Sequence, residues 1–170
     1  MNCLIFWSFK NKINYLDLDF MKKLFLIFLS ALSFFLVSAQ NPTYDKALAD
    51  SLGADDRGMK SYVLVILKTG PNDVKDKELR EKYFKGHFEN INRMAEAGKL
   101  IVAGPFNTNN QNYRGLFILN VSDFNEAEKL IQEDPTIREK IFDVEMFHWY
   151  GGAALPMYLP FQKRIEGNPF

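Results

Sequence analysis

Cysteine is almost absent from this 170-residue sequence, and neither sign of charge dominates. The one cysteine is Cys3, which excludes an intramolecular disulfide. It also excludes a metal site built from several thiolates. The 21 basic and 21 acidic residues cancel, and no long block of like charge occurs. The sequence therefore carries no electrostatic footprint for nucleic acid or for an anionic membrane surface.

The sequence also lacks an apolar run of membrane-spanning length. Leu24–Val37 is almost wholly apolar but has 14 residues, short of the roughly 20 that a transmembrane helix needs. Lys22 and Lys23 precede the run, and small side chains at Val37-Ser38-Ala39 follow it. This pattern predicts a signal peptide over 21–39, cleaved before Gln40, and a protein exported to the periplasm or the medium without a stable membrane anchor. A transmembrane helix is the alternative.

Residues 1–20 do not fit a leader, because Asp17 and Asp19 stand where a signal peptide carries positive charge. We therefore expect Met21 to be the start and residues 1–20 to be a gene-model extension. Residues 1–39 hold four lysines, two aspartates and Cys3, so the mature part keeps 17 basic and 19 acidic residues and no thiol nucleophile.

The rest of the chain reads as one α+β domain over 61–152, after a polar, flexible lead-in (40–60) and before a C-terminal tail (153–170). Apolar, β-branched runs predict four strands. Helical periodicity predicts one helix that ends before Gly98, and a capping box of Asp123 with Glu126 predicts another. The predicted strands are Tyr62–Leu67, Leu100–Ala103, Gly115–Val121 and Val144–Trp149, and the helices are Asp76–Ala97 and Asp123–Glu133. Their β-α-β-β-α-β order indicates a ferredoxin-like, four-stranded antiparallel sheet with both helices on one face.

Both faces of the predicted sheet are apolar. In the first strand Leu64 and Ile66 point one way, and Val63 and Val65 point the other. Two helices can cover only one face, and soluble monomers avoid large exposed apolar patches. We therefore expect a homodimer that packs sheet against sheet. The alternative is that the tail, Leu155–Ile165, folds back over the sheet.

His87 lies within the apolar arc of the first helix, directly after Gly86. A buried imidazole must be hydrogen-bonded or face a cavity. A mid-helix glycine costs about 1 kcal/mol relative to alanine, and it leaves room for a ligand or for another backbone. A core histidine beside a packing glycine remains the alternative.

Two further residues are candidates. Asp134 precedes Pro135, a pair that also suits the N-terminus of a helix. His148 on the last strand reads as an interface residue, and with His87 and Asp134 it forms a weaker candidate for a two-His, one-carboxylate metal site. The sequence shows no Gly-rich phosphate loop and no nucleophile elbow.

The sequence also resembles a known family over about Lys60 to Gly152. Its motifs are Gly86-His87, Gly98-Lys99-Leu100, Ala103-Gly104-Pro105-Phe106, Gly115-Leu116-Phe117-Ile118, Glu126-Ala127, Asp134-Pro135 and Trp149-Tyr150-Gly151. In this order and spacing they are similar to the YciI-like (YCII-related) domain. The chain differs from the usual pattern at Thr136, where an aromatic is common, and at Asn107–Asn112, which replaces a shorter Gly-rich turn.

The resemblance implies a dimeric α/β-barrel fold and a pocket in which His87 and Asp134 meet as an acid–base pair. Relatives include a dehydrochlorinase that acts on a chlorinated hydroxyquinol. Gly86, Gly104, Pro105 and Phe106 are the expected ligand-binding residues, with no metal and no cofactor. We therefore expect an enzyme of the lyase or isomerase kind acting on an unknown small molecule. A non-catalytic binding module that uses the same pocket is the main alternative, and a structural or partner-binding role of the aromatic tail is another.

Overall fold

The computed structural model describes residues 18–28 and 43–167, which fall into two units divided between Tyr44 and Asp45. In the first unit, residues 18–28 are helical (α1). Most of the predicted signal peptide, its cleavage site and residues 1–17 of the predicted extension lie outside the described residues. Within the described ranges, no helix combines the length and the apolar character needed to cross a membrane.

The second unit contains one sheet. Its elements are α2 (Lys46–Leu52), β1 (Met59–Thr69), α3 (Lys77–Glu96), β2 (Leu100–Pro105), β3 (Tyr113–Leu119), α4 (Phe124–Ile131), α5 (Pro135–Arg138), β4 (Phe142–Gly152), a 3₁₀ helix (Leu155–Tyr158) and α6 (Leu159–Ile165). The four strands are antiparallel in the order β2-β3-β1-β4. This confirms the predicted α+β, ferredoxin-like arrangement.

The long helix α3 has clear local start and stop signals. The Asp76 carboxylate accepts a hydrogen bond from the Leu79 backbone at 2.8 Å, and Gly98 follows the helix at φ +66°. Helix α4 begins differently from the prediction. Asp123 caps it through the Asn125 backbone N–H, but Glu126 forms an ion pair with Lys99 (2.7 Å) instead of completing a capping box.

The hydrophobic core lies between the helices and one face of the sheet. Alternate residues of β1, namely Val63, Val65 and Leu67, point into it, as the period of a strand requires. Met94 of α3 and Ile131 of α4 pack against them. Burial of these side chains contributes about 1.5–3 kcal/mol each, and this holds α3 and α4 against the sheet.

The opposite face of the sheet is only partly covered. Four apolar side chains at its centre are half-buried, and Phe147 is 48% exposed. These four are Leu64, Ile66, Leu116 and Ile118. At one end, however, the tail crosses to β2, where the Tyr158 hydroxyl donates to the Ile101 carbonyl at 2.7 Å. This contact places the tail at the edge strand β2, and the homodimer stays a prediction.

The segment before β1 is more ordered than predicted. The sequence indicates a flexible polar lead-in through residue 60, but the structure places α2 there and begins β1 at Met59. Asp55 joins this segment to the sheet, because its carboxylate accepts from the Met59 backbone at 3.0 Å and from the Tyr150 hydroxyl. Helix α2 has local end signals, Asp45 before it and Gly53 at φ +68° after it, but it buries no side chain, so it lacks the apolar pattern that predicted the longer helices.

Candidate active site

Helix α3 carries His87 on the face that it presents to the sheet. The imidazole is 7% exposed and lies among four aromatic rings, at centroid distances of 5.4–6.2 Å. These rings are Phe84, Phe88, Phe117 and Phe142. They fix the position of the ring but supply no strong acceptor for its N–H, so another group must satisfy it.

Asp134 supplies that acceptor. Its Oδ2 lies 2.5 Å from His87 Nδ1, and its side chain is fully buried. A carboxylate is tolerated in such a place only when it is paired and hydrogen-bonded. The structure therefore brings together the two residues that the family resemblance predicts as an acid–base pair, 47 positions apart in the chain.

Thr136 satisfies the other carboxylate oxygen. Both its backbone N–H (2.9 Å) and its hydroxyl (2.7 Å) donate to Asp134 Oδ1. The hydroxyl has one proton, which these contacts direct to the carboxylate, although its oxygen also lies 3.4 Å from His87 Nδ1. A carboxylate in its ionised form only accepts, so in that form His87 Nδ1 is the donor of the shared hydrogen bond. Asp134 is thus both a helix cap, as the alternative interpretation held, and the partner of His87.

The second ring nitrogen of His87 faces a cavity. The described residues contain no fully buried side-chain nitrogen or oxygen without a hydrogen-bond partner, and the hydrogen bonds of His87 are at Nδ1. Nε2 therefore remains accessible. The cavity has a volume of about 300 Å³, and His87 forms part of its wall.

The cavity wall contains two of the four expected ligand-binding residues. Gly104 and Pro105 line it, together with Phe84, Phe88 and Arg114. Sequence reasoning missed Arg114, because neither charge pattern nor helical periodicity distinguishes a single arginine beside a strand glycine.

The other two expected ligand-binding residues lie elsewhere. A Cβ on Gly86 would stand 2.5 Å from Pro135 Cγ, so this glycine admits Pro135 rather than a ligand. That close approach seats α5 on α3 and brings Asp134 to His87. Phe106 is 38% exposed and packs on Tyr113, with ring centroids 6.0 Å apart, and it does not line the cavity.

His148 takes no part in the site. Its ring stacks on Phe124 with centroids 3.9 Å apart and an interplanar angle of 8°. Within residues 18–28 and 43–167, no group of three or more His, Cys, Asp or Glu side chains could hold a metal ion. The alternative of a metal site made by His87, Asp134 and His148 is therefore wrong.

These features define the class: a ferredoxin-like α+β domain with a cavity whose wall contains His87, and with a buried aspartate, Asp134, hydrogen-bonded to that histidine. The chain belongs to the YCII-related domain family, whose model matches residues 61–150. It is structurally similar to the 5-chloro-2-hydroxyhydroquinone dehydrochlorinase of Burkholderia phenoliruptrix AC1100, solved in complex with 2,5-dihydroxybenzoquinone, with a TM-score of 0.37 and 16% identity. That similarity covers 51% of this chain and 92% of the other. No curated protein matches this chain.

Proposed function

We propose that this chain is an exported enzyme of the lyase or isomerase kind, in which His87 transfers a proton to and from a small molecule in the cavity. The observation that carries the proposal is the 2.5 Å contact of His87 Nδ1 with Asp134, which leaves Nε2 at the cavity. A positioned imidazole is a common general acid–base, and such proton transfer contributes about 10²–10⁴-fold in rate.

The roles of His87 and Asp134 follow from the different positions of the two ring nitrogens of His87. Nε2 accepts a proton from a carbon or oxygen of the bound molecule and returns it at a later step, so the imidazole ends as it began. Asp134 is the positioning residue: it holds the ring in one orientation and stabilises the imidazolium while it carries the extra proton. The phenyl rings around His87 limit the access of water, which strengthens both interactions.

Solvent exchange of a carbon-bound proton tests this chemistry. Phenylpyruvate is a suitable probe, because its benzylic protons exchange in D₂O through an enol and ¹H NMR follows their loss. We expect the protein to accelerate the exchange. His87→Gln should remove about 10²–10⁴-fold of that acceleration, although the glutamine amide can still donate to Asp134.

The chain offers a matched control, because it contains only two histidines. His148→Gln removes the histidine that stacks on Phe124, and this variant should exchange phenylpyruvate as fast as the wild type. Equal exchange rates for the wild type and His87→Gln would contradict the acid–base role and favour a binding module.

Export is supported by the basic, apolar and small-residue pattern of 21–39. The mature protein should then begin at Gln40 and be recovered outside the cytoplasm. Intact-mass measurement of the protein from its own cells, with fractionation, tests both points. A mass that includes residues 21–39 would contradict cleavage.

A further inference from the structure

Arg114 occupies an irregular position in the sheet. Leu67 of β1 pairs with Gly115 of β3, and the next residue, Lys68, pairs with Tyr113. Arg114 lies between the two partners and has none of its own on β1, which defines a β-bulge. A bulge interrupts the alternation of side chains and re-aims one of them.

The direction of the Arg114 side chain follows from this bulge. By regular alternation it would share the face of Leu116, away from the helices. Instead Arg114 lines the same cavity as Gly115 and Phe117, on the helix side of the sheet. The bulge therefore brings Arg114, which is exposed, to the cavity wall, whereas a regular strand would have directed its side chain away from the cavity.

The charge of Arg114 has no counter-ion in the cavity. None of the ion pairs within residues 18–28 and 43–167 includes Arg114, and no acidic side chain is part of the cavity wall. Asp134 is not part of the cavity wall, and its two carboxylate oxygens already form hydrogen bonds with His87 and Thr136. Arginine is always charged in proteins, and its fork of N–H donors matches a carboxylate.

The remaining wall is largely apolar and aromatic. Three phenylalanines contribute aromatic surface, namely Phe84, Phe88 and Phe117. Ala103 and Gly104 contribute only small groups on the sheet side. Small-molecule sites commonly combine such apolar surface with a few polar groups that fix orientation. Here those polar groups are one imidazole and one guanidinium.

We infer that the cavity selects a small anion with a flat, apolar body, and that Arg114 binds its charged group while His87 faces its reacting atom. This inference rests on the proposed function for the role of His87, but the selection of charge can be tested without any turnover. Arg114 is the specificity residue, placed by the bulge.

Benzoate and benzamide form a matched pair of probes, since they share size and shape and differ in charge. Their binding can be followed in ¹H–¹⁵N NMR spectra through the backbone amides of Gly104 and Gly115, which line the cavity. We expect benzoate to bind more tightly than benzamide. Arg114→Gln should weaken benzoate about tenfold or more and leave benzamide unchanged.

Two further variants sharpen the test. Arg114→Lys keeps the charge but loses the planar fork, so its benzoate affinity should lie between those of the wild type and Arg114→Gln. Arg57→Gln makes the same change of net charge before Met59, at the opposite end of β1 from Leu67, and should leave benzoate binding unchanged.

Three results would overturn the inference: no benzoate-dependent change at Gly104 and Gly115, benzamide binding as tightly as benzoate, or equal losses in Arg57→Gln and Arg114→Gln. A failure of the proposed function would give a different experimental result from a failure of this inference. If His87→Gln does not alter phenylpyruvate exchange while benzoate still requires Arg114, the acid–base role fails and the selection of an anion stands.

Discussion

At the residue scale, the carboxylate of Asp134 is the centre of the site. It receives His87 Nδ1 on one oxygen, and the backbone N–H and the hydroxyl of Thr136 on the other. The sequence marks Thr136 only as a departure from the family pattern. In the structure its hydroxyl donates to the buried carboxyl group that orients the ring of His87.

Replacing Thr136 with valine tests how much that hydroxyl contributes to the stability of the fold. Valine has nearly the same shape but leaves Asp134 Oδ1 with one donor. We expect the free energy of unfolding to fall by about 1–3 kcal/mol, measured by urea denaturation. Thr136→Ser restores the donor and should recover most of the loss, and equal stability of the valine variant and the wild type would contradict this role.

At the element scale, the contact of α5 with α3 assembles the site. Gly86 of α3 admits the ring of Pro135, and Asp134 caps α5 at the same point. The glycine therefore acts through packing and belongs to the assembly of the pair rather than to the ligand surface.

Gly86→Ala sets two effects against each other. Alanine favours a helix by about 1 kcal/mol, but its Cβ would stand 2.5 Å from Pro135 Cγ. We expect the steric term to dominate, with a net loss of about 1–3 kcal/mol of stability in urea denaturation. A variant more stable than the wild type would show that α5 can shift at little cost.

A double mutant identifies the cause of that loss. Pro135→Ala removes the ring atoms that the new methyl group would meet, so the double variant should lose less stability than the sum of the two single variants. A coupling energy of about 0.5–3 kcal/mol in this direction is expected for residues in contact. Additive losses would place the origin of the defect elsewhere.

The contact of Asp55 with Tyr150 attaches the segment before β1 to β4. The Tyr150 hydroxyl, followed by the Met59 backbone N–H, lowers the pKa of Asp55 below its usual value. The same hydrogen bond raises the pKa of Tyr150. A lowered carboxylate pKa means that the stabilisation is present above the pKa of an unfolded aspartate, about 3.9, and is lost as the pH falls through the folded value.

The effect of Asp55→Asn should accordingly depend on pH. The variant keeps one oxygen acceptor but loses the charge, so its urea midpoint should lie below that of the wild type at pH 7. The two midpoints should converge at a strongly acid pH, below the pKa of an unfolded aspartate, where Asp55 becomes protonated in the folded protein too. A difference that is the same at both pH values would contradict a contribution from the charge.

Regular patterns in the sequence predicted the order of the strands and helices, because alternation and helical periodicity are local. They did not predict α2, because this short helix buries no side chain and so has no apolar periodicity. They wrongly predicted a capping box at Glu126, because its ion pair with Lys99 is a contact between distant residues. His87 was identified as a polar residue within an apolar helical pattern. The family motifs identified His87 and Asp134 together. Arg114 was missed because a β-bulge depends on the pairing of two strands, which no single segment displays.

At the scale of the whole molecule, the sheet face opposite the helices is an apolar surface that is only partly covered. Half-buried side chains occupy its centre, Phe147 is about half exposed, and the tail is hydrogen-bonded to the sheet at Ile101 of the edge strand β2. A second copy of the chain, packed sheet against sheet, would cover the apolar remainder.

Sedimentation equilibrium tests this association. We expect a mass of two chains at micromolar concentration for the wild type. Ile118→Lys should reduce the mass to one chain, because it places a charge at the centre of this face. Lys82→Glu on the exposed side of α3 is the control and should remain a dimer. A wild-type mass of one chain would contradict the association.

The tautomer of His87 tests the central claim most directly, and ¹⁵N NMR of the imidazole nitrogens measures it, with His148→Gln leaving a single histidine to assign. We expect the neutral ring to carry its proton on Nδ1, with Nε2 unprotonated toward the cavity, and Asp134→Asn to reduce this preference. A neutral ring with its proton on Nε2, unchanged in Asp134→Asn, would contradict the claim that the carboxylate prepares His87 to accept a proton.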